Sequence, residues 1–290
     1  MAESRISWVD SHPLAAFVIG AYVYTWLVSA PAIFMEEGWT PWILIYIGSF
    51  GPPISAAVVT WLQGHSVRAW ARQIGRWRVG WTWWLAAFGV PLAIIVGTTG
   101  ILVAIGGPVD PRRLSASPAL VAVIFLFGLT VSGGLNEEPG WRGFAQPHLN
   151  DEHSALTASL IVGVVWAVWH LPYFFIPITP HSGFTFVNQI GWFLGIVFLS
   201  VILGWAYNNT GSVFIVMVLH AMANTADVLL PLVPEEIARD GVIIESAVAT
   251  VTVTQLAVQL LVVLGIVAYF GHRSLAHRGI PGVAYLRGDQ

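Results

Sequence analysis

ALVAVIFLFGLTVSGGLNEEPGWRGF, residues 119 to 144, sets the class of this protein and poses its main question. The part through Leu135 carries no charge, and with Pro118 it is nearly long enough to cross a bilayer, for which about 20 apolar residues suffice. Immediately after it come Glu137, Glu138, a proline, a tryptophan and Arg142. Charged residues make up only 9% of the chain, so three of them at the end of one apolar run need a reason.

Composition generalises the first observation. Apolar residues are 56% of the 290, with 15 tryptophans, and the mean hydropathy is +0.74. Soluble domains lie nearer 45–50% apolar and about 25% charged. The chain is therefore expected to be an all-α, polytopic integral membrane bundle. A formal net charge of −3 offers no basic face for phosphates, which excludes nucleic acid as a partner. With no cysteine there is no disulfide framework, thiolate zinc site or thiol nucleophile.

Eight apolar stretches are long enough to span, at about 13–35, 42–63, 81–105, 118–136, 155–176, 186–207, 212–230 and 247–270. No soluble domain fits between them, so residues 1–290 are read as a single membrane domain. The first stretch is expected to stay as a helix, although Ala30-Pro31-Ala32 faintly resembles a cleavage site; its leading segment carries Glu3 and Asp10 against Arg5 alone. Arginine placement gives the orientation. The segment GHSVRAWARQIGRWRVG (64–80) holds Arg68, Arg72, Arg76 and Arg78; placed in the cytoplasm, it brings both termini to the same side. That side then also collects Arg5, Arg142, Arg273, Arg278 and Arg287, nine against Arg112, Arg113 and Arg239. The segment itself reads as an interfacial stretch on anionic headgroups, anchored by Trp70 and Trp77.

Ionisable groups inside spans cost about 2.5–3.5 kcal/mol each on insertion scales and mark sites or pathways. Away from loops and ends these are Glu137, Glu138, Arg142, His170, His220 and Asp227, with Asn224 beside them. Glu138 and Arg142 are i, i+4 and can pair on one helix face; so are His220 and Asn224, with Asp227 a turn further on. A carboxylate in a low-dielectric pocket suits a general base on water, and imidazole and amide groups suit a developing oxyanion. Two histidines and a glutamate can equally hold zinc with an open position, although the H-E-x-x-H signature is absent. Structural readings stand beside these: a histidine bonded to a neighbouring helix, an interhelical His–Asn pair, and an interfacial ion pair at a helix end. Pro139 removes a backbone donor, so the glutamates sit at a kink or open a new turn.

Taken together, three stretches resemble the CPBP (CAAX prenyl protease and bacteriocin-processing, or Abi) family of intramembrane proteases. E-E-x-x-x-R is Glu137, Glu138 and Arg142; F-x-x-x-H appears as Trp166 to His170, with tryptophan in place of phenylalanine; H-x-x-x-N is His220 and Asn224. FGPPISAAVV and GRWRVGWTWW are softer matches, and the family-like core covers about residues 115–228. The resemblance implies a glutamate-dependent endopeptidase with Glu137 as the base, His170 holding the water, His220 and Asn224 receiving the oxyanion, and Glu138, Arg142 and Trp166 in support. Metal dependence stays open; zinc, if used, would fall to Glu137, His170 and His220. The implied partners are a membrane-anchored peptide or protein and the bilayer, in a plasma membrane of bacterial type. A non-catalytic scaffold or a proton-coupled transporter built on the same cluster is the alternative. Hydropathy sets Glu137 near the cytoplasmic edge and His170 about 22 Å into its span, so a joint site requires the fifth span to start outside the hydrocarbon or the fourth to tilt. The site is then expected to open to the cytoplasm.

Overall fold

The computed structural model describes residues 7–107, 117–229 and 241–283, with the side chains of 7, 227–229 and 241–246 outside that description. Arg5, Arg112, Arg113, Arg239, Arg287 and the Asp227 side chain fall outside it. Every regular element among the described residues is helical. Seven helices are long and apolar enough to span: α1 Pro13–Phe34, α2 Trp39–Leu62, α3 Trp81–Ala104, α4 Pro118–Glu152, α5 Ala155–Phe175, α6 Phe186–Thr210 and, after the shorter α7 (Val213–Leu229), α8, which runs Gly241–Phe270 with its apolar window at Ala247–Phe270. The eight expected stretches are therefore all helices of a membrane bundle.

The sorting of side chains is that of a protein in lipid. Along α1, Phe17, Ala21, Thr25 and Ser29 are buried at four-residue intervals, while Ile19, Val23 and Leu27 point outward and are equally apolar. Burial alone cannot drive such helices together, because lipid is as apolar as leucine; close approach over small residues does. A Cβ added at Gly163 of α5 would stand 2.9 Å from both Val197 Cα and Ser200 Cβ of α6. At Gly140 of α4 it would stand 2.5 Å from Pro52 Cβ and 2.7 Å from the Pro52 carbonyl oxygen of α2. Pro52 and Pro53 open the second half of α2, Gly51–Leu62, where missing backbone donors cost nothing.

Helix α4 differs from its sequence reading. It does not end near residue 136 but continues to Glu152, with two irregularities. The first segment, Pro118–Thr130, breaks at Gly133, whose φ of +121° only glycine adopts freely, and Asn136 Oδ1 accepts the Gly133 N–H at 2.7 Å to restart the helix at Gly134. Trp141–Ala145 then forms a widened, π-type turn just after Pro139, before Gln146–Glu152 resumes the α pitch. Pro139 thus lies inside a restarted helix. The lower part of α4 is wrapped by α2, α5, α6 and α7, and α3 packs on α7 and α8.

Helix α1 holds the end of α5. Tyr22 Oη donates to the Val165 carbonyl at 2.5 Å, Trp26 Nε1 to the Trp169 carbonyl at 3.0 Å, and Trp169 Nε1 back to Thr25 Oγ1 at 2.9 Å. These bonds tie down the helix end carrying His170, where backbone carbonyls would otherwise lack partners. Because α5 and α6 meet over Gly163, Gly163→Val should destabilise the protein by about 1–3 kcal/mol, the usual cost of overpacking. Thermal melting in detergent measures this, and Gly163→Ala should fall between the two.

Candidate active site

The extended α4 removes the difficulty of depth. Glu137 is 15 residues before Glu152 and His170 is 15 residues after Ala155, so both stand about 22 Å along helices that meet at the 153–154 connection. At 35 residues α4 is about 52 Å long against about 30 Å of hydrocarbon, so it tilts or its far end and the start of α5 lie outside the hydrocarbon, the two arrangements the sequence reading required. Glu137 lies inside helix α4 rather than at its end, and Glu137, Trp166, His170, His220 and Asn224 line one cavity of about 370 Å³.

Glu138 organises the buried side of the site. One oxygen accepts from Arg142 Nη1 at 3.1 Å, and the other lies 2.7 Å from His220 Nδ1. Neither Glu138 nor Arg142 has any exposed side-chain surface. Arg142 Nη2 donates to Ser200 Oγ at 2.8 Å, Ser200 Oγ donates to the Ser159 carbonyl at 2.7 Å, and the guanidinium lies 4.9 Å from the Trp166 ring centroid. The i, i+4 spacing read from sequence gave the Glu138–Arg142 pair; the link from Glu138 to His220, 82 residues away, was not legible there.

Each histidine is fixed through Nδ1. That of His170 lies 2.9 Å from the Trp166 carbonyl, which can only accept, so Nδ1 carries the proton and neutral His170 turns a bare Nε2 outward. His220 Nδ1–H faces a carboxylate; with that proton in place Nε2 donates only in the imidazolium form, for which Glu138 is the adjacent counter-ion. Trp166 Nε1 donates to Glu137 Oε2. A phenylalanine there supplies no such donor, so tryptophan is more than an aromatic wall.

Gly133 shows how tightly the donors converge. A methyl group on it would lie 2.7 Å from His220 Nε2 and 2.8 Å from Asn224 Nδ2, so both nitrogens address one small volume. Asn224 Nδ2 also donates to the Ser132 carbonyl at 3.1 Å, which fixes the amide against the break in α4. Two residues missed in the sequence complete the mouth. His181 and Trp192 line the cavity with rings 4.9 Å apart, and Trp192 is also 4.9 Å from His170. Burial holds the His181 imidazole down at about 4, so it is neutral at pH 7. It belongs to the short α5–α6 connection, which a search confined to spans leaves out; a histidine eleven residues after His170 was the available signal.

Glu137, His170 and His220 do not form a zinc site by geometry. Among the described residues no three histidine or carboxylate groups come together as metal ligands. Whether Asp227 reaches the cavity lies outside the described residues.

The class these features define is a polytopic helical membrane protein with buried carboxylate and imidazole groups and an exposed amide around one cavity between its helices. Residues 118–226 match the family model described as Type II CAAX prenyl endopeptidase Rce1-like. The CAAX prenyl protease 2 of Methanococcus maripaludis is 29% identical over 166 residues, which cover 54% of this chain and 58% of that relative's length. The assignment to the CPBP family of CAAX-type proteases, drawn from the three motifs, is borne out over that segment.

Two variants separate brace from base. Glu138→Gln leaves Arg142 buried without its counter-charge and should cost about 3–5 kcal/mol, seen as a large loss in thermal melting. Trp166→Phe keeps the ring beneath Arg142 but removes the donor to Glu137. A hydrogen bond to a charged group contributes about 1.5–3 kcal/mol, so kcat should fall roughly ten- to a hundredfold with melting and KM little changed, measured on a membrane-anchored peptide.

Proposed function

We propose that this protein is an intramembrane endopeptidase that cleaves a membrane-associated polypeptide with water activated by Glu137. The observation that carries the reading is the convergence of one carboxylate and two nitrogens on a single cavity: Glu137 lines it, while His220 Nε2 and Asn224 Nδ2 address the space beside Gly133. In this scheme the Glu137 carboxylate takes a proton as the water oxygen bonds to the scissile carbonyl carbon. His170, with Nε2 bare, accepts a hydrogen bond from that water and orients it. Negative charge on the former carbonyl oxygen is met by the N–H groups of His220, as imidazolium beside Glu138, and of Asn224. Glu137 then passes its proton to the leaving nitrogen as the C–N bond breaks, giving an acid and an amine. Donors fixed before the reaction need no reorganisation, which is why such groups stabilise charge better than water does.

No step is routed through a metal, in keeping with the absence of a three-ligand cluster among the described residues. The Methanococcus relative's name specifies prenylated CAAX substrates; for this chain the proposal extends to the peptide bond and the membrane setting. The cavity contains no Arg, Lys or Asp among its described lining residues and no acidic side chain but Glu137. A scaffold or transporter would use the same polar cluster without bond cleavage.

Glu137→Gln keeps size and hydrogen bonding but cannot accept a proton, so turnover should fall about 10²–10⁴-fold with melting essentially unchanged. Asn224→Ala should lower kcat about 10²-fold or more by removing one oxyanion donor, with KM retained. The measurement is cleavage of a membrane-anchored peptide by purified protein, beside melting of each variant. Full activity in Glu137→Gln overturns the assignment, and an equal loss of melting temperature in both variants favours the scaffold.

A further inference from the structure

Gln73 is buried in the arginine-rich connection between α2 and α3. Its side-chain amide donates to the Gly143 carbonyl at 2.7 Å, its side-chain oxygen accepts from Tyr207 Oη at 3.0 Å, and its main-chain carbonyl accepts the Val213 N–H at 3.1 Å. Ser212 Oγ donates to the Arg76 carbonyl. The backbone that carries Arg76 and Arg78 is thus bonded to α4, α6 and the start of α7. The segment after α8 is fixed at the same end of the bundle. Asn208 and Asn209 of α6 donate to the Ser274 and Leu275 carbonyls at 3.2 and 2.8 Å, and the Ala155 N–H donates to the Arg273 carbonyl at 2.8 Å. Leu275 is fully buried and has a φ of +49°, a left-handed conformation that leucine seldom adopts. Such a turn persists only where its surroundings hold it, and this one carries His277 and Arg278 toward the α2–α3 connection.

Arg76 and Arg78 from one segment and Arg278 from the other line a common cavity of about 600 Å³, with no acidic side chain among its described lining residues. Gly80 and Thr82 also line it, so the first turn of α3 opens on it. Gly80 has no side chain to cap that turn, and a helix start leaves its first N–H groups without intrahelical partners. Helices α6 and α8 end at the same cavity, at Thr210 and Phe270, and bring their carbonyl ends to it. A helix end counts as about half a charge, so answering the two C-termini would use about one arginine. With the α3 N-terminus added, about two and a half positive charges remain. The cavity also has an apolar wall. Trp83 and Phe270 line it, and Trp205 stands behind them, its ring 4.9 Å from Trp83 and 5.8 Å from Phe270. Trp77, Trp81 and Tyr269, each next in sequence to a lining residue, are exposed, as aromatic side chains are at the level of lipid headgroups.

We infer that this cavity binds the phosphate headgroup of an anionic phospholipid, one molecule per protein. Guanidinium groups match phosphate oxygens two at a time, and basic pockets between spanning helices suit acidic headgroups. The amine of a zwitterionic lipid finds no carboxylate among the lining residues, so the surplus of positive charge selects a lipid with net negative charge. Trp83 and Phe270 then meet the glycerol and the first acyl carbons, a contact that a free phosphate cannot make. This is a defined site and not the general attraction of a basic segment to a charged surface, because Arg68 and Arg72 of the same connection do not line it. A lipid held there bridges the α2–α3 connection to the segment after α8. It binds the folded arrangement and not the unfolded chain, so it stabilises the bundle. Nothing in this site depends on the peptidase reading.

Native mass spectrometry of the purified full-length protein in detergent tests the site, with dioleoylphosphatidylglycerol and dioleoylphosphatidylcholine titrated separately. One phosphatidylglycerol should bind about tenfold or more tighter than phosphatidylcholine, and it should raise the melting temperature. Arg78→Gln and Arg278→Gln should each weaken phosphatidylglycerol about fivefold, and the two together about 25-fold. Both side chains are exposed, so the double variant should melt with the wild type in phosphatidylcholine alone. Arg68→Gln with Arg72→Gln removes the same charge from exposed positions outside the cavity and should leave binding unchanged. Equal weakening by the two double variants reduces the effect to diffuse attraction and overturns the inference, as does equal binding of the two lipids. Inorganic phosphate and glycerol 3-phosphate, added to lipid-free protein, should leave the melting temperature where it is. A rise matching that from phosphatidylglycerol, and lost in the Arg78→Gln, Arg278→Gln variant, overturns the lipid assignment and makes the ligand a soluble phosphate. None of these readouts needs peptide cleavage, so their failure leaves the peptidase reading untouched.

Discussion

Glu138 carries the interaction on which the rest of the site depends. A carboxylate and a guanidinium with no exposed surface, deep in a chain with so few charges, are tolerable because each meets partners: Arg142 and His220 on the carboxylate, and Glu138, Ser200 and the Trp166 ring on the guanidinium, whose Nε alone has no hydrogen bond. This network joins α4 to α5, α6 and α7, helices whose side chains line the cavity. The same bond that neutralises Glu138 sets the proton on His220 Nδ1 and directs Nε2 to the cavity. Structural stability and the orientation of the proposed catalytic groups are therefore one arrangement, and a change at Glu138 is expected to disturb both.

Legibility in the sequence depended on the range of each interaction. The spans were readable because lipid demands long apolar runs, and the Glu138–Arg142 pair because helical periodicity puts i and i+4 on one face. The depth of Glu137 was not readable. Hydropathy ended the fourth span where charge began, but those charges are paired inside the bundle, so the helix continues for nearly half its length beyond that point, to Glu152. Gly133 illustrates a second kind of blindness. Nothing in VSGGL shows that its φ is positive or that two nitrogens from α7 close on it, since that close approach is a tertiary fact. His181 was passed over because it lies outside the spans, where polar residues ordinarily need no explanation.

The two irregularities of α4 act together. An unbroken helix from Pro118 to Glu152 would bury every backbone group in its own ladder and fill the space beside His220. The break at Gly133 instead brings the α4 backbone, without a side chain, against His220 Nε2 and Asn224 Nδ2, and it frees the Ser132 carbonyl to hold the Asn224 amide. The wide turn at Trp141–Ala145 falls one turn below the glutamates, where Arg142 must reach both Glu138 and Ser200 of α6. π-type turns add a residue to a helical turn and rotate the next stretch of helix, and they are frequent at functional sites. In α4 the extra residue lies between the glutamates that line or brace the cavity and the fully buried turn that follows them.

Trp166 links the base to its brace. Its ring lies against Arg142 while its N–H is donated to Glu137, so one rigid side chain of α5 is in register with two residues of α4. A phenylalanine, as in the family pattern, would leave that glutamate oxygen to water. An indole cannot leave the site as a water molecule can, and it limits Glu137 to rotamers that keep Oε2 toward α5. The proposed general base is thus oriented by protein rather than solvent. The apolar neighbourhood makes this useful, because a carboxylate deep in a low-dielectric bundle has few other donors to hold it.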